Sequence, residues 1–410
     1  MFFSLTFVNI APNPKPYAMI NPIQKADCCG CAACKECCPK QCISLQPDNE
    51  GFFYPIVDTA TCINCGLCEK VCPMLNKNAA TEPIAVYAAK NNDEEVRKQS
   101  SSGGIFSLLA QQTLAEGGVV FGVRFDKEWK VVTHYCETLE ELKAFQGSKY
   151  VQSNTNGMFA QAQAFLKAGR KVLFSGTPCQ IKGLKLFLRK EYENLLTVEV
   201  ICHGAPSPKV WEKHLQHTAQ KMGLNEQAPG KAFSDIRFRD KRKGWKAFSC
   251  VYTPCQDGKE VQASTFLEDP FMRIFLADIN LRPSCYSCAA KSGRSGCDIA
   301  LADFWAIGVV APELDDDRGV SLALIYTEKG MKAYPHTQTI TQEVPYEQAT
   351  QWNGGFKEVL AVPQERAAFF EDLDACADIH EHILASLPRP IEQKKESKWA
   401  RWIHKLHLKK

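Results

Sequence analysis

From residue 84 onward, short apolar runs alternate with longer stretches of helical period. Ala85–Ala89, Val119–Phe125, Lys171–Ser175 and Leu196–Ile201 read as strands, with Gly103–Glu116, Thr155–Ala168 and Ile181–Leu188 as the helices among them. Such alternation predicts an α/β fold class, α+β overall, with parallel strands carrying their loops to one edge. Ahead of this body, Asn76–Pro83 is polar and ends in proline, so a linker is expected there. The chain then divides into a unit at 19–78, a body in two parts at 84–163 and 164–330, and a helical extension with a basic tail at 331–410.

The opening Met1–Val8 is apolar, but no basic residue precedes its apolar run and a Pro-rich stretch, Pro12–Pro16, follows. That argues against a signal peptide. With Met19 just ahead of the first cysteine motif, the first 18 residues read as a dispensable extension or a misassigned start. No run reaches the roughly 18–20 apolar residues of a membrane helix.

Composition narrows the partners. The net charge of +3 is too small to imply nucleic acid, and no basic face interleaved with aromatics lies in the body. The Lys394–Lys410 tail, with Trp399, Trp402, Ile403, Leu406 and Leu408 at near-helical spacing, can rest on an anionic membrane surface or a partner, or form a plain amphipathic helix.

Twenty cysteines change the picture most, because eleven of them fall between Cys28 and Cys72 at gaps too short for a disulfide framework. Metal ligation, and with it the cytoplasm, is the expected reading. Cys28-x-x-Cys31-x-x-Cys34-x-x-x-Cys38-Pro39 is the run of bacterial ferredoxins, and Cys62-x-x-Cys65-x-x-Cys68-x-x-x-Cys72-Pro73 repeats it. In this run three thiolates wrap one 4Fe-4S cube while the fourth reaches its neighbour. The expected ligand sets are Cys28, Cys31, Cys34 and Cys72 for one cluster, and Cys62, Cys65, Cys68 and Cys38 for the other. A pair of zinc sites is the competing reading, but it leaves both Cys-Pro endings unexplained. Cys29, Cys37 and Cys42 stand outside the pattern as buried or bystander thiols, with Cys29 or Cys37 as substitutes if the register slips by one.

Further along, Ser101-Ser102-Gly103-Gly104 opens a helix and would suit a phosphate or pyrophosphate, though serine caps and glycine turns open many helices that bind nothing. The strands before Gly176-Thr177-Pro178-Cys179-Gln180 and Cys202-His203-Gly204 would bring Cys179 and Cys202 to one sheet edge. Cys285-x-x-Cys288 then completes four thiolates for a third 4Fe-4S cluster, with Cys297 as a competing ligand. The alternative is that Cys179 and Cys202 are buried apolar thiols and that Cys285 and Cys288 bind zinc or nothing. His203 is either a proton donor or a satisfied hydrogen-bonding residue. Arg237–Lys243 either holds phosphate or carboxylate groups or is a solvated strand and turn.

Together and in order, Ser101–Gly104, Gly147–Ser153, Gly176–Gln180, Cys202–Gly204, Cys285–Cys288 and Asp298–Trp305 make the chain resemble the beta subunit family of coenzyme F-420 hydrogenases and dehydrogenases. The resembling branch carries an N-terminal two-cluster ferredoxin domain, and the likeness covers roughly residues 20–330. It departs from the family where Ala302 and Ala306, rather than glycines, flank Asp303-Phe304-Trp305.

The resemblance implies an FAD-binding body, with contacts from Ser101, Ser102, Gly103, Gly104, Ser148, Lys149, Tyr150, Gly176 and Thr177. It favours Cys179, Cys202, Cys285 and Cys288 over Cys297 as ligands of the third cluster. The implied activity is an oxidoreductase that exchanges a hydride with deazaflavin or another small molecule and passes single electrons to a redox partner protein. A ferredoxin-driven reductase running the same wiring in reverse, and a non-catalytic electron-transfer subunit, are the alternatives.

Overall fold

A computed structural model describes residues 20–21, 24–155, 157–224, 229–256, 258–357 and 359–388. The apolar opening and the basic tail lie outside the described residues, together with the expectations placed on them. No described helix is long and apolar enough to cross a membrane.

Two strands belong to the cysteine-rich unit, β1 (Ile43–Pro47) and β2 (Phe53–Val57), paired antiparallel. The body begins with β3 (Ala85–Asn91), β4 (Val119–Phe125) and β5 (Val131–Cys136). It continues through β6 (Val172–Gly176) and β7 (Leu195–Val200). Next come β8 (Phe233–Asp240), β9 (Ser249–Pro254) and β10 (Gln262–Thr265), followed by β11 (Ile299–Asp303), β12 (Ser321–Ile325) and β13 (Thr339–Glu343).

Eight of these strands form one mixed sheet in the order β13-β3-β12-β11-β7-β6-β4-β5. Its centre, β11-β7-β6-β4, is parallel, and both flanks are antiparallel. β6 is buried along its whole length, as a central parallel strand covered on both faces must be. Phe121, Phe159 and Phe174 stack between sheet and helices, each worth roughly 1.5–3 kcal/mol of burial. The α/β class is therefore as expected, and strands from both halves of the body share this one sheet.

The described part of the expected helical extension, residues 331–388, holds helices and also a strand. Thr339–Glu343 adds β13 to the outer edge of β3, pairing Thr339 with Asn91 through Glu343 with Tyr87. An uncovered β3 would present a row of unpaired backbone groups, and this five-residue strand satisfies them.

β8, β9 and β10 make a separate antiparallel sheet that packs on the Pro208–Lys221 helix and the Pro270–Leu276 helix around Trp211, Phe238, Tyr252 and Phe271. This sheet positions Arg239, whose role emerges below.

Candidate functional site

The two cysteine runs fold as near-repeats. Each opens a short helix, Ala33–Glu36 or Leu67–Lys70, from a residue in the left-handed region, Ala32 at φ 66° and Gly66 at φ 67°. The chain folds tightly there and turns backbone N–H groups toward the sulfurs. The repeats cross over. Cys28, Cys31, Cys34 and Cys72 line one cavity with Gly30, Ala32 and Pro73. Cys38, Cys62, Cys65 and Cys68 line a second with Pro39 and Gly66. Burial, then repulsion from Cys28 and Cys72, pushes the Cys34 thiol well above its usual range. Such thiols stay protonated unless positive charge joins them, and the irons of a cube would supply it. The residues present therefore fit two clusters.

Of the thiols outside the pattern, Cys42 Sγ lies 3.4 Å from Cys38 Sγ, and Cys37 donates to the Cys34 carbonyl. Cys29 behaves differently: it packs in the same hydrophobic cluster as Cys179 of the body, and the two thiols perturb each other's ionisation.

Cys179 is the second residue of the Pro178–Leu188 helix, which follows β6 directly. Thr177 and Gln180 close a capping box there, with Thr177 N donating to Gln180 Oε1 at 3.0 Å. Cys202 follows β7, the parallel neighbour of β6, so adjacent strand ends carry both thiols to one edge. Cys285 and Cys288 come from the 3-10 turn at Pro283–Ser287 and the residue after it. Burial, then Cys285, Cys179 and Cys288, raises the Cys202 thiol, and burial with Cys179 and Cys288 pushes Cys285 up to about 12. The structure thus brings Cys179, Cys202, Cys285 and Cys288 together. Cys297 packs elsewhere, facing Glu199 and Ser295. Among the described residues no three His, Cys, Asp or Glu side chains converge as ligands of one metal ion would.

The first and third thiol groups meet across a tightly built junction. Arg282 donates from Nε to the Cys28 carbonyl at 2.6 Å, from Nη1 to Gln152 Oε1 at 3.0 Å and from Nη2 to the Phe53 carbonyl at 2.9 Å. Thr155 Oγ1 donates to the Cys31 carbonyl, and Gln152 Nε2 to that of Cys29. Gly30, at φ 72°, has no room for a Cβ, which would sit 2.8 Å from Arg282 Nη1. A Cβ on Gly183 would sit 3.0 Å from Cys31 Sγ, so the body's helix and the cysteine loop need this glycine to touch. Beside them Lys182 is 1% exposed, and its Nζ has no hydrogen-bond partner among the described residues.

The residues assigned to a flavin separate into two sets. Ser102 Oγ donates to the Val320 carbonyl, and Gly103 N donates to Ser321 Oγ. Gly104 caps the Ile105–Ala115 helix against Asn91. Gly176 ends β6 and Thr177 caps the helix of Cys179, while Lys149 Nζ donates to the carbonyls of Ala144 and Gln146. The Ser102 hydroxyl and the Gly103 N–H are thus taken up by Val320 and Ser321 at the start of β12.

Ser101, Ser148 and Tyr150, in contrast, converge. Ser148 donates from both N and Oγ to Ser101 Oγ. Arg239 donates to Tyr150 Oη at 2.9 Å, to the Ser101 carbonyl and to the Asp303 carboxylate. Its Nε is buried without a partner among the described residues. The stacked rings of Trp245 and Trp305, 4.9 Å apart, flank this corner. An orphaned guanidinium N–H beside stacked aromatics fits an electron-rich planar group.

The remaining candidates are absorbed internally. His203 Nε2 lies 2.5 Å from Asp278 Oδ1, as a satisfied histidine does. In Arg237–Lys243, Arg237 and Arg242 pair with Asp235 and Asp240, and Lys241 donates to three backbone carbonyls.

Arg282 and Lys182 escaped the sequence reading. A signal for Lys182 was present, since it lies three residues after Cys179 and hence on the same helix face.

A family model described as the C terminus of the coenzyme F420 hydrogenase/dehydrogenase beta subunit matches residues 169–343, and its N-terminal counterpart matches residues 86–159. A 4Fe-4S binding domain model matches residues 55–75, the second cysteine run. No curated protein matches. Among solved structures, a chain of the F420-reducing [NiFe] hydrogenase complex from Methanosarcina barkeri is similar at 16% identity and a TM-score of 0.44, over 76% of this chain and 91% of that one. The chain belongs to the coenzyme F420 hydrogenase/dehydrogenase beta subunit family, an oxidoreductase family, and adds to it an N-terminal iron–sulfur domain for electron transfer.

Proposed function

We propose that this chain is an iron–sulfur flavoprotein that passes electrons between a hydride-exchanging flavin site and three 4Fe-4S clusters. The observation that carries the reading is the contact of Cys29 with Cys179, which sets a complete third thiol quartet directly against the first. Flavin and clusters supply the redox chemistry when bound, the flavin taking electrons in pairs and the clusters singly.

The protein's own residues position and insulate. Ser101, Ser148 and Tyr150 with Arg239 hold the flavin's electron-rich edge, and Trp245 and Trp305 shield that corner. Arg282 fixes the first cluster loop against the turn carrying Cys285. The second thiol group faces outward, with Cys65 exposed and Ile63 56% exposed beside it, so a redox partner protein docks there. Deazaflavin or another small organic molecule is the hydride donor or acceptor.

The test is an anaerobic iron, sulfide and flavin count on purified protein and on a Cys285→Ala/Cys288→Ala variant. About twelve irons and one flavin, falling by about four irons in the variant, is the expected result. About eight irons, unchanged in the variant and without flavin, overturns the reading.

A further inference from the structure

We propose that Lys182 is the counter-charge shared by the first and third clusters and that it raises the reduction potential of both. This rests on the three-cluster reading above. Lys182 lies on the Pro178–Leu188 helix, one turn after Cys179 and next to Gly183, the residue that touches Cys31. It is therefore placed where the two thiol groups approach each other.

Other enclosed lysines in this protein have oxygen partners. Lys149 donates to two backbone carbonyls, Lys241 to three and Lys291 to that of His203. Lys182 Nζ has none among the described residues; burial works against its charge, as does Lys77, and the groups that favour it are three thiols: Cys288 of the third set, Cys29 at the junction and Cys72 of the first. An ammonium buried without a partner is destabilising, so a fold that keeps one needs negative charge near it.

A 4Fe-4S cube with four thiolates is an anion, and one-electron reduction adds one negative charge. A fixed cation beside it favours the reduced form, because Coulomb attraction is strong where water is excluded. Neighbours on both sides of Lys182 give that attraction to two clusters at once, whereas the thiols of the second group line a separate cavity. The pair of clusters next to each other is thus raised together, which keeps an electron moving between them close to isoenergetic.

The experiment is a dye-mediated anaerobic redox titration of the whole protein, followed by electron paramagnetic resonance, on wild type, Lys182→Met and Lys182→Arg, with an iron count on each. Lys182→Met is expected to lower the one-electron reduction constants of the first and third clusters about tenfold, which is ~59 mV, without moving the second. Lys182→Arg keeps both near wild type. If Met instead strips iron that Arg retains, the need for charge at this position is also upheld. Met and Arg variants whose potentials shift alike, or that lose iron alike, overturn the proposal, as does an equal shift of all three clusters. A wild-type count of about eight irons fails the three-cluster reading itself and Lys182 with it.

Discussion

Arg366 Nη2 lies 2.5 Å from Glu50 Oε2, an ion pair between residues 316 positions apart. Glu50 belongs to the β1–β2 turn of the cysteine-rich unit, and Arg366 to a helix near the C-terminal end of the described chain. The same guanidinium donates to the Leu281 carbonyl, next to Arg282. One side chain thus ties the two ends of the protein to the segment that carries Cys285.

Breaking this pair from one side leaves a buried charge. Arg366→Met is expected to destabilise by about 3–5 kcal/mol, and Glu50→Gln/Arg366→Met to recover much of that loss. Urea unfolding followed by cluster absorbance and by tryptophan fluorescence reads both variants. A single mutant as stable as wild type sinks the idea.

Gly183→Val should cost cluster one. An added Cβ already meets Cys31 Sγ at 3.0 Å, and a branched side chain must push the cysteine loop away. The expected outcome is a loss of about four irons with the body still folded by circular dichroism. Full iron content would show that the loop yields.

Cys297 and Cys202 make a contrasting pair. Cys202→Ala is expected to lose about four irons, whereas Cys297→Ala, which alters a contact with Glu199 and Ser295, keeps the wild-type count. The reverse result would exchange their roles.

A buried histidine chain sets a pH dependence. His380 Nε2 and His214 Nδ1 are 2.9 Å apart, His214 Nε2 is 2.9 Å from Tyr252 Oη, and Tyr252 donates to Asp269. With both rings neutral, His380 donates to His214 and His214 donates to Tyr252. Burial lowers His214 and His380 to about 3, so from about pH 6.5 down to 3 the unfolded chain binds more protons and native stability falls with pH. Asp269, raised by burial to about 6, works in the opposite sense between about pH 6 and 4. Relative to wild type, His380→Gln should gain about 1.4 kcal/mol for each pH unit of acidification in that window. Urea midpoints at pH 7, 6 and 5 measure it, and a difference independent of pH would assign the chain no such role.

How much of this was legible depended on range. The cysteine spacings are local, and the crossing of Cys38 and Cys72 follows from the motif alone. β6 and β7 were readable as short, mainly apolar strands, which placed Cys179 and Cys202 on one edge. The role of Ser102–Gly104 was not legible, because a turn rich in donors looks the same in sequence whether an anion or the start of β12 takes them. Arg282 was hidden, since a single charge among apolar residues declares its partner only once distant segments meet, whereas the spacing of Lys182 from Cys179 was there to be read. β13 was missed because Thr339–Glu343 is polar and becomes a strand through the edge of β3.

The grip of Arg282, Gln152 and Thr155 on the backbone around Cys28, Cys29 and Cys31 bears on how such proteins can be recombined. An iron–sulfur unit held this way is not an interchangeable cartridge. A stand-alone ferredoxin grafted in its place would carry the right cubes and lack the Gly30 and Gly183 contacts that let them sit close. Any exchange between relatives must therefore carry both faces of the junction together.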